Sequence, residues 1–252
     1  MPLAFPFASE PHAIDAGRGA ALACRGLARQ TFAAELRALF SRSSESDISG
    51  PMQPLPLNQR LDRIGQHIVR ARLFLDLWFY FEEQDSRRKI IDTMEEYNEF
   101  FRFTPHAYLV AYVIYMAGVF DKTTDTISFP HLVPEMKREG QLKDQDAKDV
   151  DALLVEAKPV VSKILILRHK AFAHRSAHIS YDDVFKMAAV RPDQLRDLTD
   201  VALKIANRLL IARGLQDQHF TELPREAAEA IMKALGEKLS PSSSMKFGGR
   251  LG

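Results

Sequence analysis

Apolar residues recur every three to four positions from Leu57 to about residue 240, and this helical spacing restricts the fold more than any other feature of the chain. Strand-like alternation of Val, Ile and Thr with polar residues is nearly absent from the same stretch. A helix with one apolar face needs neighbours to cover that face. The sequence therefore predicts an all-α domain, a bundle of about six helices around one core.

Helix-breaking residues divide this stretch. Thr104 is expected to cap one helix, and Gly214 is expected to end another. Pro159 is expected to bend one long helix over 146–173, because proline lacks a backbone donor and clashes with the preceding turn. The connection 121–140 contains two prolines and is expected to hold about one helical turn. The other predicted helices cover 58–83, 86–101, 105–120, 193–213 and 224–239.

The chain divides into an extension, a domain and a tail. Residues 1–55 are rich in Ala, Arg, Ser and Pro and end in the breaker-rich run SRSSESDISGPMQPLP, which is typical of a linker. We expect a flexible extension there, with a marginal amphipathic helix, a transit peptide or a true translation start at Met52 as open alternatives. The helical domain is expected over 56–240, followed by a disordered tail over 241–252.

Composition narrows the classes of function. The formal charge is +1, from 34 basic and 33 acidic residues, so the chain has no global field that would attract nucleic acid or anionic lipid. Any site for a polyanion must be local. The lone Cys24 cannot form an internal disulfide, which fits a reducing cytoplasm. The apolar stretch 107–120 is shorter than the roughly 20 residues that cross a bilayer, so we expect no membrane association.

The basic helix end RHKAFAH, 168–174, contains two polar residues on apolar faces. His174 continues one apolar stripe and Arg168 belongs to another. On an ideal helix, residues six apart differ by about 120° in direction, so one chain cannot stack these two side chains. Either the helix unwinds near His174, or two copies of the chain cooperate. The first stripe contains Val160, Ile164, Leu167 and Ala171, and the second contains Val161, Leu165 and Phe172.

The residue types at this helix end suit phosphate chemistry. A guanidinium binds phosphate oxygens in a forked geometry, and an imidazole exchanges protons near neutral pH. His169, Lys170 and Arg175 add positive charge that would position an RNA backbone without reading its bases. The simpler interpretations are an arginine that favours a helix C-terminus, a buried histidine and a solvated basic face. No HExxH or CxxC pattern accompanies His169, His174 and His178, so no metal or other cofactor is expected.

Arg168, a following polar residue and His174 after five intervening positions resemble the motif of HEPN superfamily ribonucleases. The segments FAHRS, 172–176, and TISFPHL, 126–132, extend the resemblance to the AbiU-type abortive-infection branch over roughly 57–214. It implies a HEPN-like bundle and a homodimer whose motif helices meet in a composite cleft. It also implies metal-independent RNA cleavage in phage defence or a toxin system, with an antitoxin or defence-system partner. Arg168 would stabilise the transition state, and His174 would be the general acid or base.

Two other interpretations remain open. The domain is alternatively a catalytically inactive HEPN-like module that binds RNA, a nucleotide or a protein, or a purely structural dimerisation module in which Arg168 makes interface contacts. In addition, HEPN toxins that are silenced by a nucleotidyltransferase often carry Tyr two residues after the motif histidine, where this chain has Ser176. This departure counts against that form of silencing and leaves the nuclease hypothesis intact.

Overall fold

The computed structural model describes residues 55–173 and 180–239, which form helices and connecting segments without a strand. This confirms the predicted all-α class. The predicted extension, apart from Leu55, and the predicted tail lie outside these residues. The α-helices are α1 (Leu57–Glu82), α2 (Gln84–Glu96), α3 (Asn98–Phe101), α4 (Thr104–Val119), α5 (Phe129–Arg138), α6 (Asp144–Leu167), α7 (Tyr181–Ala188), α8 (Pro192–Ala212) and α9 (Leu223–Leu239).

Helix α1 is the centre of the bundle. It packs against α4 and α8, and its buried side chains surround much of its circumference. The one acidic residue in its apolar run, Asp76, is buried and accepts two hydrogen bonds from Arg72, whose Nη1 also donates to Asp200 on α8. A buried carboxylate needs such a partner because desolvation disfavours its charge. The buried residues of α1 include Leu61, Ile64, Ile68, Leu75, Trp78 and Phe79.

Helix α4 is apolar on nearly all sides and carries a central polar anchor. The hydroxyl of the fully buried Tyr112 donates to the Leu195 carbonyl at 2.8 Å and lies 3.1 Å from the Thr199 hydroxyl, which joins α4 to α8. The prediction that Thr104 caps this helix is wrong. Its hydroxyl donates to the Phe100 carbonyl at 2.7 Å instead, and the helix begins without a side-chain cap.

The connection 121–140 contains α5, which is longer than the single turn predicted there. Its 10 residues include Pro134, which cannot donate to the helix backbone. The helix forms nevertheless because its apolar side chains share one face at spacings of three and four and are buried in the core. Tertiary burial therefore outweighs the cost of the proline. The buried residues are Phe129, Leu132, Val133 and Met136.

The breaks between the remaining helices lie close to the predicted ones, with some differences. Helix α6 runs through Pro159 as one 24-residue helix, as expected, but it ends at Leu167 and not near residue 173. The second predicted helix is divided at Tyr97 into α2 and α3. Gly214 follows α8 with φ of 67°, a left-handed conformation that glycine adopts without a steric penalty, so the predicted helix end is confirmed. Ser180 caps α7 by accepting a hydrogen bond from the Asp183 backbone at 3.2 Å.

Candidate functional site

The basic motif lies on a π-helical segment. Helix α6 ends at Leu167, and Arg168–Ala173 then form a π-helix of 6 residues. Such segments are rare, and those that occur are frequently found at functional sites. The chain therefore departs from α-helical geometry before His174. The angle of about 120° between residues six apart on an ideal α-helix does not apply to this segment. The predicted site residues His174 and Arg175 lie outside the described residues.

Phe172 anchors the π-helical segment between two helices. Its ring meets the His106 ring on α4 edge-on with centroids 5.9 Å apart, and it meets the Phe185 ring on α7 in the same way at 6.1 Å. Edge-to-face contacts at these distances are favourable for aromatic rings. Ala171 beside it is buried. Burial lowers the pKa of His106, so this ring favours its neutral form.

Arg168 makes an ion pair with a residue that sequence patterns did not single out. Its Nη1 donates to Oδ2 of Asp121 at 2.6 Å, with 29% of the Arg168 side chain and 13% of the Asp121 side chain exposed. Asp121 lies just after α4, 47 positions earlier in the chain. The arginine is therefore only partly buried, and its guanidinium is oriented by a carboxylate on a neighbouring element.

Asp121 is itself held in place by its own loop. The backbone N–H and the hydroxyl of Thr123 both donate to Oδ1, at 2.9 and 2.7 Å. The hydrogen bonds from Arg168 and Thr123 hold the pKa of the Asp121 carboxyl well below its usual range. Both carboxylate oxygens are thus engaged, and the group stays ionised. An aspartate that bonds the backbone two residues on is a common turn pattern, but that pattern does not reveal a distant arginine.

The same loop connects the site to the TISFPHL segment. The Thr123 carbonyl accepts a hydrogen bond from the Thr126 hydroxyl at 2.7 Å. Nε2 of His131 lies 2.9 Å from that carbonyl, and since a carbonyl can only accept, Nε2 carries the hydrogen. Ser128 precedes α5 and is fully buried. The segment therefore supports the loop that holds Asp121.

The other predicted site residues in the described part of the chain are His169 and Lys170, and both are exposed next to Arg168. They are available to a ligand in solvent and do not contribute to the core. Among the described residues, no group of three His, Cys, Asp or Glu side chains is placed to hold a metal ion. Two of the three histidines considered as metal ligands, His174 and His178, lie outside that part.

Comparison with known families gives the chain its class. The family model described as AbiU2, a HEPN domain, matches residues 55–231, which is more than half of the chain. The chain belongs to the AbiU2 family of HEPN domains. The matched region of this AbiU2 domain includes both Asp121 and Arg168 and extends into α9. No curated protein and no solved structure matches the chain. None of the described helices combines the length and apolar character that crossing a bilayer requires.

Proposed function

We propose that this AbiU2-family chain is a metal-independent RNA endonuclease that acts in phage defence by abortive infection or in a toxin-type stress response. The observation that carries the proposal is the presentation of Arg168. Arg168 lies on a π-helical segment, its guanidinium is fixed through Nη1 by Asp121, and 29% of its side chain is exposed. Within the described parts of the chain, no hydrogen bond is made by its Nε or Nη2. That edge is free to bind two oxygens of a phosphate.

The proposed reaction uses the substrate's own nucleophile. The ribose 2′-oxygen attacks the adjacent phosphorus, the bond from phosphorus to the 5′-oxygen breaks, and the products carry a 2′,3′-cyclic phosphate and a 5′-hydroxyl. His174 removes the proton from the 2′-hydroxyl or supplies the proton to the leaving 5′-oxygen. Arg168 stabilises the charge that develops on the phosphate oxygens. Since DNA lacks the 2′-hydroxyl, the substrate is RNA.

A homodimer is part of the proposal, and the outer face of α4 supports it. Phe103, just before α4, and Ile114 within it are 58% and 50% exposed, and Ala107 between them is also exposed. This face carries no charged residue from 103 to 118, so two copies can meet there without like-charge repulsion. It also ends close to Asp121, which contacts Arg168. A second copy related by a two-fold axis near the C-terminal end of α4 would bring the two motif ends near each other.

The dimer can be tested apart from catalysis. Ile114→Arg should convert the dimer to a monomer in light scattering at tens of micromolar, since it buries a charge in the interface. Ile211→Arg on α8 is the matched control, because Ile211 is 62% exposed and lies on a different helix. A wild-type chain that is monomeric under these conditions would contradict the composite site.

The alternative is a HEPN-like module that binds RNA, a nucleotide or a protein without cutting. The observation in its favour is that the ionised Asp121 offsets the charge of Arg168, in a chain whose formal net charge is only +1. Such a surface has little electrostatic drive for broad capture of RNA. RNA that is retained by the purified protein but never cleaved would favour this alternative.

Cleavage of structured RNA in the presence of EDTA tests the enzyme. The wild-type chain should cut, and His174→Ala and Arg168→Ala should each lower the rate by about 100-fold or more. The matched control is Arg60→Ala, since Arg60 is another partly buried arginine paired with a carboxylate, that of Glu135. It should cut at the wild-type rate. Cleavage that is absent, or unchanged by His174→Ala, refutes the proposal.

A further inference from the structure

We infer that Asp121 is a positioning residue of the site, which holds the Arg168 guanidinium so that its free edge faces the scissile phosphate. The inference rests on the proposed function and adds a residue to it. Asp121 was not among the residues that the sequence singled out, and it would touch neither the reacting atoms nor the substrate. Its effect on the cleavage step would pass through Arg168.

The geometry assigns different edges of the guanidinium to different partners. Oδ2 of Asp121 accepts from Nη1 at 2.6 Å, and among the described residues no other group bonds the edge formed by Nε and Nη2, which can take a second anion. An arginine binds phosphate most strongly when two parallel N–H groups donate to two oxygens. The carboxylate and the phosphate can therefore occupy the guanidinium together. Asp121 does not need to leave when RNA binds, so its contact persists through the reaction.

The rigidity of Asp121 distinguishes it from an incidental surface partner. Its second oxygen is held by two donors from Thr123, and the Thr123 carbonyl is held in turn by Thr126 and His131. Ordering an arginine side chain removes rotational freedom about several bonds and therefore costs conformational entropy. A carboxylate that is already fixed orders the guanidinium before substrate arrives, and preorganised charge is more effective in a transition state than charge that must reorient.

The charge of Asp121 gives the inference a distinctive signature. Its negative charge lies next to the group that binds phosphate, so it weakens the binding of RNA in the ground state. Removing that charge should strengthen RNA binding and, at the same time, slow cleavage because Arg168 is no longer oriented. A residue that only stabilises the fold would not change binding and turnover in opposite directions.

The decisive variant is Asp121→Asn, compared with Glu135→Gln. The asparagine oxygen can still accept from Thr123, while its amide cannot accept from Arg168. Glu135→Gln breaks the ion pair between Arg60 and Glu135, whose side chains are partly buried like those of Arg168 and Asp121. It leaves the Arg168 site intact. Thr123→Val is a milder second variant, because it removes one donor to Asp121 and keeps both charges.

Two measurements on the full-length protein test the inference: kcat and KM for a structured RNA, and Kd for the same RNA with 2′-deoxy nucleotides that cannot be cleaved. Asp121→Asn should lower kcat by about 10- to 100-fold, the loss expected for a group misplaced by about 1 Å. It should also lower Kd by a few-fold. Thr123→Val should lower kcat less, and Glu135→Gln should change neither quantity.

Each outcome decides between the hypotheses. The positioning role is overturned if Asp121→Asn keeps the wild-type kcat, or if its kcat falls by the same factor as that of Glu135→Gln. The nuclease proposal stands in either case. If the wild-type chain never cleaves, the nuclease proposal fails, and Kd alone tests the place of Asp121 beside the phosphate. A lower Kd for Asp121→Asn then supports a position of Asp121 beside the bound phosphate. An unchanged or higher Kd contradicts that position.

Discussion

The ion pair between Asp121 and Arg168 can be tested without any substrate, through its contribution to the free energy of unfolding. A hydrogen bond to a charged group contributes about 1.5 to 3 kcal/mol, whereas exposed ion pairs contribute about 0.2 to 1 kcal/mol. The Arg168 side chain is 29% exposed and that of Asp121 is 13% exposed, so the pair lies between these cases. We expect a coupling energy of about 1 to 1.5 kcal/mol.

The assay is a double-mutant cycle with Asp121→Ala, Arg168→Ala and the double variant, each unfolded in urea at pH 7. Asp121→Ala should cost more than Arg168→Ala, because it also removes the two hydrogen bonds from Thr123. The cycle for Arg60 and Glu135 is the comparison, since that pair has two nitrogen–oxygen contacts and side chains that are 19% and 20% exposed. It should give a coupling at least as large.

The pH dependence of the coupling energy provides a second check on the same pair. The pKa of Asp121 is lower in the folded chain than the unfolded value of about 3.9. The folded state therefore keeps this carboxylate charged where the unfolded state has begun to protonate it, so its stabilisation is complete above the unfolded value and is lost as the pH falls through the folded value. The coupling should be the same at pH 5 as at pH 7. A coupling within about 0.3 kcal/mol of zero at both pH values would refute the ion pair.

Three further predictions concern the fold around the site. Phe129→Ala should lower the free energy of unfolding by about 3 to 5 kcal/mol, whereas Pro134→Ala, at an exposed helix position, should raise it by about 1 kcal/mol in urea unfolding. The reverse order would show that α5 is not held by burial. Tyr112→Phe should cost only about 1 kcal/mol in the same assay, because the Thr199 hydroxyl still donates to the Leu195 carbonyl, and a cost above about 3 kcal/mol would contradict that. Because burial lowers the pKa of His106, its contribution to stability should be complete above the unfolded value of about 6.5 and should be lost as the pH falls through the folded value. His106→Gln should flatten the dependence of unfolding free energy on pH between about 5 and 7, and an unchanged slope would rule this out.

Much of the fold could be predicted because its signals are local. The period of apolar residues in α1, α6 and α8 is a property of each helix alone, and so are the prolines and glycines that begin or end them. The motif around Arg168 is also local, and it identified the HEPN class that the match over 55–231 confirms. The position of Arg168 near a helix end could therefore be predicted from the sequence.

Thr104 and α5 show where local signals fail. The hydroxyl of Thr104 has a choice between capping its own helix and bonding the Phe100 carbonyl, and the sequence does not decide between them. The two prolines in 121–140 indicate a broken connection when they are considered alone. The helix forms there because Phe129 and Met136 are fully buried, and that burial depends on helices far away in the chain.

By itself, the sequence determined the helical class, the approximate ends of most helices and the family motif, because these depend on residues close together in the chain. The tertiary structure alone decided that Arg168 pairs with Asp121 and that the chain widens into a π-helix at Arg168–Ala173. For the ion pair, the physical reason is the distance between its two residues along the chain. An ion pair between residues 47 positions apart forms only after α4 and α6 have packed and brought the loop and the helix end together.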